Sequence, residues 1–301
     1  MRKKIVFIAI IIGIVAGCDW LIGAVTKDAI LNVKDVGVNQ TNTVQAFFKR
    51  KADVLILGPS TANHHYDCRI IEDSLGLTCY NAGRDGQNII YDAMVLEGFL
   101  TRCTPKMVVV DVGPVVLSDE WMPSLAEFNC YKGILAPVDT IIDDILTPIE
   151  KVKLHSNVVK YNKTWEWLLN ARLSKESSDM NGYRPLYVNH IAKFQSKISN
   201  NHFTPYSVCM KYFDSIANTC RTHHIEFIIA RSPSMSIDKG DFADSLEMYC
   251  KKHLLLFLDW NGDTTYTNHS ELFYDVGHLN AKGAEAFTKE FVGKVKDVLN
   301  Y

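Results

Sequence analysis

Short runs of consecutive apolar residues alternate along the chain with longer segments of helical periodicity. Four such runs are Val54–Leu57, Met107–Val110, Phe227–Ala230 and Leu254–Leu258. Continuous apolar runs of this length are typical of strands that are covered on both faces, as in a parallel sheet. A weaker fifth run is Leu77–Tyr80. The pattern therefore predicts five strands of a mostly parallel sheet.

The segments between these runs space their apolar residues as helices do. They span residues 67–76, 88–102, 206–224, 242–253 and 284–299. Strands that alternate with helices in this way predict a doubly wound α/β sheet. Such sheets bind ligands beyond the carboxyl ends of their strands, so the residues that follow each strand are the first candidates for chemistry.

One long stretch breaks the alternation. Residues 118–205 contain several prolines and an aromatic segment around Trp165 and Trp167. We interpret this stretch as a helical insertion over the site, in which the two tryptophans either fill a core or stack on a sugar. The predicted organisation is a connector over 27–51, followed by an α/β domain over 52–301 that contains the insertion.

The N-terminus has the pattern of an export signal. The basic segment Arg2–Lys4 precedes the apolar run Ile5–Ile12, and the apolar character continues to Val25. About twenty apolar residues are enough to span a membrane as a helix. We therefore predict an uncleaved signal anchor over 1–26. The rest of the chain would then be extracytoplasmic, because the positive residues stay inside.

A second interpretation of this segment stays open. Val15–Cys18 resembles the bacterial lipobox, in which the cysteine is lipidated and becomes the new N-terminus. Apolar residues resume after Asp19, whereas lipoproteins usually continue with a polar tether, and this favours the signal anchor. Asp19 would be costly at the bilayer centre but lies toward the outer end of the segment.

Composition narrows the possible functions. The formal net charge is −2, so no long-range field favours nucleic acid. The eight cysteines contain no CxxC pair, which predicts buried free thiols, with Cys68 and Cys79 as a candidate disulfide in an oxidising compartment. His64 and His65 are adjacent, so they point about 100° apart on a helix and are expected to be ordinary helix positions. No metal or cofactor is predicted.

Two polar motifs carry candidate chemistry. A tight turn after the first apolar run presents Ser60 at the carboxyl end of that strand, and Asp275 and His278 precede the last helix. A serine hydroxyl becomes a good nucleophile when an imidazole takes its proton and a carboxylate fixes the tautomer of that imidazole. The three residues predict a catalytic triad, although each motif alone is also typical of a turn or a helix cap.

Together and in this order, the motifs resemble the SGNH (GDSL-like) hydrolase superfamily, whose first block carries the serine and whose last block reads Asp-x-x-His. The resemblance covers residues 52–115 and 225–299 and implies a flavodoxin-like five-stranded fold. It extends to Asn81–Gly86, which is similar to the glycine block of the family. By that match, the backbone N–H of Gly83 is expected to help stabilise the oxyanion, and the N–H of Ser60 is a further candidate donor from the backbone.

One block departs from the family pattern. The family normally supplies an asparagine after the third strand, whereas this chain reads Asp111-Val112-Gly113-Pro114. An ionised Asp111 would repel the developing negative charge, so we expect donors from the backbone alone or from the side chains of Asn63 or Asn88. Arg231 follows the fourth strand and is a candidate contact for an anionic or sugar substrate, and Asn63 and Asn88 are further candidate substrate contacts.

The resemblance implies ester chemistry through an acyl-serine intermediate. The leading hypothesis is an extracytoplasmic serine esterase or O-acyltransferase that acts on cell-surface or dietary carbohydrate, or on another small ester. The alternative is a catalytically inactive member of the superfamily that binds glycan or takes part in envelope assembly. A lipase is a third hypothesis, for which the sequence offers no lipid-binding stripe beyond the anchor. The acyl group, the acceptor and the oligomeric state are left open.

Overall fold

The computed structural model describes residues 2–36, 39–119, 125–174, 180–188 and 196–299. The chain divides into two compact units, each built from two separate segments. The first unit comprises Met1–Val44 with Ser124–Glu176, and the second comprises Gln45–Pro123 with Ser177–Tyr301. The stretch interpreted from sequence as an insertion, residues 118–205, contributes to both units.

A parallel sheet of five strands forms the centre of the second unit. The strands of the described residues are β1 (Val54–Leu57), β2 (Cys79–Asn81), β3 (Met107–Asp111), β4 (Lys197–Ser199), β5 (Glu226–Arg231), β6 (Ser236–Asp238) and β7 (Leu256–Asp259). The large sheet has the order β2-β1-β3-β5-β7 with all neighbours parallel, while β4 and β6 form a separate parallel pair. Along the chain the large sheet reads 2-1-3-4-5, the flavodoxin-like order, and the predicted fold class is confirmed.

Helices connect these strands and make up the first unit. The α-helices of the described residues are α1 (Arg2–Asn32), α2 (Asn39–Phe48), α3 (Ser60–His65), α4 (Cys68–Leu75), α5 (Ile89–Leu100), α6 (Ala136–Ile145), α7 (Pro148–Lys153), α8 (Asn157–Lys160), α9 (Thr164–Leu173), α10 (Val208–Thr222), α11 (Phe242–Lys252), α12 (Thr264–Thr267) and α13 (Ala281–Leu299). Short 3₁₀ helices cover Leu125–Tyr131 and Ser270–Leu272. The five predicted helical segments correspond to α4, α5, α10, α11 and α13.

The apolar runs locate the strands closely, with one instructive difference. β1 begins and ends with the run that predicts it, and all four of its residues are buried. The last strand begins at Leu256, two residues later than its apolar run. Leu254 has a φ of 57° and is exposed, because it belongs to the turn that ends α11. A positive φ is incompatible with a strand, so the run overestimates the strand at that end.

Aromatic packing fixes the last helix against the sheet. The ring of Phe287 on α13 packs edge-to-face against Tyr66 and Trp260, with distances between ring centroids of 5.1 Å and 5.2 Å. Phe291 packs against Tyr66 in the same way, with a centroid distance of 5.2 Å. Edge-to-face pairs of this kind add about 0.5–1.5 kcal/mol each beyond the area they bury. Because α13 is held in this way, the loop that precedes it lies at the carboxyl edge of the sheet.

The N-terminal helix α1 is long and apolar enough to cross a membrane. Its large apolar side chains between Ile5 and Val15 are exposed. Toward its C-terminal end, Gly23, Thr26 and Ile30 are buried within the first unit. The predicted N-terminal apolar segment is therefore a single long helix, compatible with a membrane anchor or a signal sequence. The predicted connector contains the end of α1 together with α2.

Asp19 of α1 caps the start of α8. Its carboxylate accepts the hydroxyl of Ser156 at 2.7 Å and the backbone N–H groups of Asn157 and Val158 at 3.0 Å each. A carboxylate at the first turn of a helix satisfies N–H groups that have no partner within the helix. The one acidic residue of the apolar segment is thus hydrogen-bonded inside the first unit.

The eight cysteines all lie in the described ranges and are free thiols. Cys68 and Cys79 are buried beside one another, and burial raises the pKa of both. Cys18 on α1 is exposed.

Candidate active site

The turn after β1 places Ser60 at the first position of α3. Gly58 has a φ of 134°, and a Cβ at this position would lie 2.7 Å from the carbonyl oxygen of Asp111. Only glycine fits such a conformation at such a distance. The N–H of Gly58 donates to the buried carboxyl of Asp92 at 2.8 Å, which holds the turn from the side of α5. The sequence indicated the turn but not Asp92, because an acidic residue in an apolar helix gives no sign of its distant partner.

The three predicted triad residues come together at this edge of the sheet. Ser60 Oγ lies 2.7 Å from His278 Nε2. His278 Nδ1 lies 2.9 Å and 3.0 Å from the two carboxylate oxygens of Asp275. Because a carboxylate accepts at Nδ1, the neutral imidazole carries its proton there and offers Nε2 as an acceptor to the serine hydroxyl. This is the arrangement of a nucleophile, a general base and a group that orients the base.

Asp275 is itself held by the loop that it belongs to. Its Oδ1 accepts the backbone N–H groups of Gly277 at 2.8 Å and of His278 at 2.9 Å. Burial pushes the pKa of Asp275 upward, but the hydrogen bond and charge of His278 and these two N–H groups outweigh burial, so the pKa lies below its ordinary value. Asp275 is therefore ionised at neutral pH, as its role toward His278 requires.

His65 is part of the support of this site. The side chain is fully buried, its Nδ1 lies 2.8 Å from Ser232 Oγ, and its Nε2 accepts the backbone N–H of Leu279 at 2.9 Å. The Leu279 contact requires an unprotonated Nε2, so Nδ1 carries the proton and donates to Ser232. Burial, with smaller contributions from His278 and His64, lowers the pKa of His65 well below its ordinary range. His65 thus stays neutral and holds the residue next to His278.

The neighbouring histidine makes separate contacts. His64 Nδ1 lies 2.6 Å from the carbonyl oxygen of Arg184, and its Nε2 lies 3.2 Å from Asp85 Oδ1. The two adjacent histidines therefore face different partners on α3. No group of three metal-ligating side chains occurs in the part of the chain that the structure describes.

Gly83 has a structural position in the loop after β2. Its N–H donates to Asn81 Oδ1 at 2.9 Å. A Cβ on Gly83 would lie 2.6 Å from the backbone nitrogen of Asn63, so glycine allows the loop to pack closely against α3. The N–H that the family resemblance assigns to the oxyanion is thus engaged within the loop. The N–H of Ser60, in the first turn of α3, has no acceptor within that helix.

The two asparagines considered as substrate contacts lie in the scaffold. Asn63 is buried and donates its side-chain N–H to Asp85 Oδ1 at 2.8 Å. Asn88 is buried at the N-cap of α5, where it accepts the N–H of Ile90 at 3.1 Å. Neither residue lines the cavity beside Ser60. The geometry therefore gives no support to a substrate contact from either side chain.

A cavity of about 520 Å³ contains Ser60 and His278 in its lining. Apolar residues, among them Val112, Pro114 and Val116, provide the larger part of the lining surface. The uncharged polar residues of the lining are Gln87, Ser199, Asn201, Ser232, Ser234, Ser236 and Asn261. Arg231 also lines the cavity, and it is the last residue of β5, whereas the sequence placed it just after that strand. Its Nη1 donates to Asp259 Oδ2 at 2.8 Å, so its charge is already paired.

Asp111 occupies the end of β3 with a carboxyl group and lines the same cavity. The residue is only 2% exposed. Burial raises the pKa of Asp111 to about 6, and donors on Ser232, Tyr66 and Thr61 oppose the rise. At neutral pH most of this group is ionised, so it does not replace the donor that an asparagine would supply.

Comparisons with known proteins give limited guidance. A search of curated proteins finds no significant match. A family model whose description names no activity matches residues 156–300. Among solved structures, the chain is similar to one described as a lipolytic protein of the G-D-S-L family from Desulfitobacterium hafniense DCB-2, with 13% identity and a TM-score of 0.41 over 81% of this chain and 98% of that chain.

Proposed function

We propose that this protein breaks or transfers ester bonds with Ser60 as its nucleophile. The observation that carries the proposal is the hydrogen-bonded series from Ser60 through His278 to Asp275, at 2.7 Å and 2.9 Å. Serine activation requires a base at hydrogen-bond distance from the hydroxyl and an ionised carboxylate at hydrogen-bond distance from that base. Ser60, His278 and Asp275 lie in this order.

The reaction has two steps. Ser60 Oγ attacks the ester carbonyl carbon while His278 Nε2 takes the hydroxyl proton. The tetrahedral intermediate then expels the alcohol, which receives that proton from His278, and the acyl group remains on Ser60. In the second step His278 takes a proton from water or from a sugar hydroxyl, and the resulting oxygen nucleophile releases the acyl group and restores Ser60.

The oxyanion is best placed at the N–H of Ser60. Gly83, the second donor expected from the family resemblance, already donates to Asn81. Asp111 is a weak point of the site, because a negative charge in the same cavity opposes the charge that develops in the transition state. This carboxylate is also the observation that favours the alternative function, a protein that retains the fold and the cavity to bind glycan without turnover.

The setting that we propose is the outer face of a bacterial membrane. The length and apolar character of α1 support an anchor, and the basic residues in its first turn favour a cytoplasmic N-terminus. An uncleaved anchor remains our preferred form over lipidation at Cys18. The serine, asparagine and glutamine residues in the lining of the cavity favour carbohydrate esters as substrates.

Labelling with a serine-directed fluorophosphonate tests the proposal. We expect an adduct on the wild-type protein that is lost in Ser60→Ala and in His278→Ala, together with the hydrolysis of p-nitrophenyl acetate. Ser74→Ala on α4, outside the cavity, is a matched control that keeps both signals. A Ser60→Ala variant that retains the activity would overturn the proposal. A folded wild-type protein without any adduct would favour the glycan-binding alternative.

A further inference from the structure

Asp238, at the end of β6, has a buried carboxylate of which one oxygen accepts hydrogen bonds from the protein and the other does not. Oδ1 accepts the backbone N–H groups of Asn201 at 3.0 Å and of Gly240 at 3.1 Å, and the side-chain amide of Asn201 at 3.2 Å. The side chain is 3% exposed and the residue lines the cavity of Ser60. Oδ2 has no hydrogen-bond partner among the described residues. A buried, fixed acceptor without a donor is costly to the fold unless a ligand or water supplies one.

Arg231 lies across from this oxygen. Its side chain is 4% exposed, its Nη1 is fixed by Asp259, and its guanidinium carbon lies 5.3 Å from the centre of the Phe242 ring. Its Nη2 lies 3.9 Å from Asp238 Oδ2. That separation is beyond a hydrogen bond, so the two charged groups face each other without direct contact.

The chemistry of this pair selects a neutral group. A hydroxyl oxygen about 2.8 Å from both Arg231 Nη2 and Asp238 Oδ2 would bridge the two atoms, because they are 3.9 Å apart. A hydroxyl group accepts from the guanidinium and donates to the carboxylate at the same time. A carboxylate or phosphate would be repelled by Asp238 and Asp259, which together outweigh the charge of Arg231. An ammonium group has no lone pair to accept from Arg231.

We propose that Arg231 and Asp238 form a subsite for a hydroxyl group of the ester substrate, so that the cavity recognises neutral, polyhydroxylated esters. The side chain of Ser236, in the same lining, suits a further hydroxyl group. The inference rests on the proposed function, since it names the substrate class of the cavity in which Ser60 acts. It also replaces the anionic substrate that Arg231 alone suggests.

The test compares two esters in an Asp238→Asn variant. The amide can keep its oxygen toward Asn201 and Gly240, but the group that then faces Arg231 is a donor instead of an acceptor. For mono-O-acetylglucose, used as its mixture of positional isomers, we expect kcat/KM to fall roughly 10- to 100-fold, mainly through KM. For p-nitrophenyl acetate, which has no hydroxyl group, we expect kcat/KM to stay within about twofold of wild type. Asp241→Asn, an exposed neighbour on the same segment, is the matched control and changes neither ester.

A second arm uses only the wild-type protein and so does not depend on how the variant folds. The per-O-methylated form of the same acetylglucose cannot donate to Asp238, and we expect it to be a correspondingly poorer substrate. Equal rates on the free and methylated sugars would overturn the subsite. A fall in kcat/KM on both esters in Asp238→Asn would also overturn it. So would an unchanged kcat/KM on both esters, which is the result expected if only a bound water lies between Arg231 and Asp238.

Failure of the subsite and failure of the proposed function are distinguishable. Wild-type protein that does not turn over p-nitrophenyl acetate in a Ser60-dependent manner argues against the catalytic proposal. In that case calorimetric titration of Ser60→Ala with mono-O-acetylglucose, with and without Asp238→Asn, still decides the subsite. Binding that is weakened by the second substitution supports it, and binding that is absent or unchanged overturns it.

Discussion

His65 Nε2 accepts the backbone N–H of Leu279 at 2.9 Å, and this buried hydrogen bond joins the helix that carries Ser60 to the loop that carries His278. Ser60 and His278 are 218 positions apart in the chain. Their 2.7 Å contact therefore depends on tertiary contacts that hold the two segments together. His65 supplies one such contact directly beside the general base.

Loss of this contact should impair catalysis without removing a reacting group. We expect His65→Ala to lower kcat on p-nitrophenyl acetate by up to about 10²-fold, because a small displacement of His278 lengthens its contact with Ser60. His65→Gln should recover part of the loss, since its amide can accept from Leu279 and donate to Ser232. His223→Ala, an exposed histidine at the end of α10, is the control. Equal kcat values in His65→Ala and wild type, with both folded by thermal unfolding, would show that His65 does not position the base.

Asp275 orients His278, and its removal tests that role. In Asp275→Asn the amide can present an N–H to Nδ1, which favours the wrong tautomer and leaves Nε2 unable to take the proton of Ser60. We expect kcat to fall by about 10⁴-fold, while the fold and the cavity persist. Asp297→Asn, on the exposed face of α13, should leave kcat unchanged. A loss of less than about tenfold would mean that the carboxylate is not needed for tautomer selection.

The buried carboxyl group of Asp111 gives the stability a specific pH dependence. Its pKa is raised from 3.8 to about 6, mainly by burial. Between about pH 4 and pH 6 the folded state binds a proton that the unfolded state has released, so stability falls as the pH rises through this window. Above it, the ionised group costs on the order of 3 kcal/mol relative to an exposed aspartate. Below about pH 4 both states are protonated and the cost disappears.

Asp111→Asn removes the ionisation and keeps the shape. We expect the variant to unfold at a temperature several degrees above wild type at pH 8, with a difference that shrinks toward pH 4.5. Thermal unfolding at the two pH values measures this, and Asp297→Asn serves as the control. A stability difference that is the same at both pH values would mean that packing or hydrogen bonding, and not ionisation, separates the two side chains.

The sequence predicts the parts of this molecule that depend on local patterns. Continuous apolar runs mark strands such as β1 because a strand covered on both faces must be apolar throughout. Ser60 and the pair of Asp275 and His278 can be predicted because a turn and a short spacing between two residues depend only on the local sequence. The role of His65 is not visible in this way, because only its distant partners Ser232 and Leu279 distinguish it from the other polar residues of a short helix.

Other features of the site depend on contacts that no local pattern encodes. The N–H of Gly83 is engaged by Asn81 because of how the loop closes after β2. Asp238 is the last residue of a half-buried strand of three residues, which pairs with another short strand. No hydrophobic pattern in the sequence predicts this strand. The burial of Asp238 arises from the contacts of Asn201 and Gly240.

The form of the N-terminal anchor can be decided at Cys18. Asp19 is hydrogen-bonded to the start of α8, and the apolar residues between the basic N-terminus and Asp19, residues 5–18, have a length of about 21 Å at 1.5 Å per residue. A helix that spans the hydrocarbon core of about 30 Å therefore also needs the apolar residues that follow Asp19, up to Val25. We expect the intact mass of the protein purified from bacterial membranes to include residues 1–17 without added lipid, and Cys18→Ala to change that mass by the substitution alone. A shorter, lipid-bearing wild-type chain whose processing is abolished by Cys18→Ala would instead identify a lipoprotein.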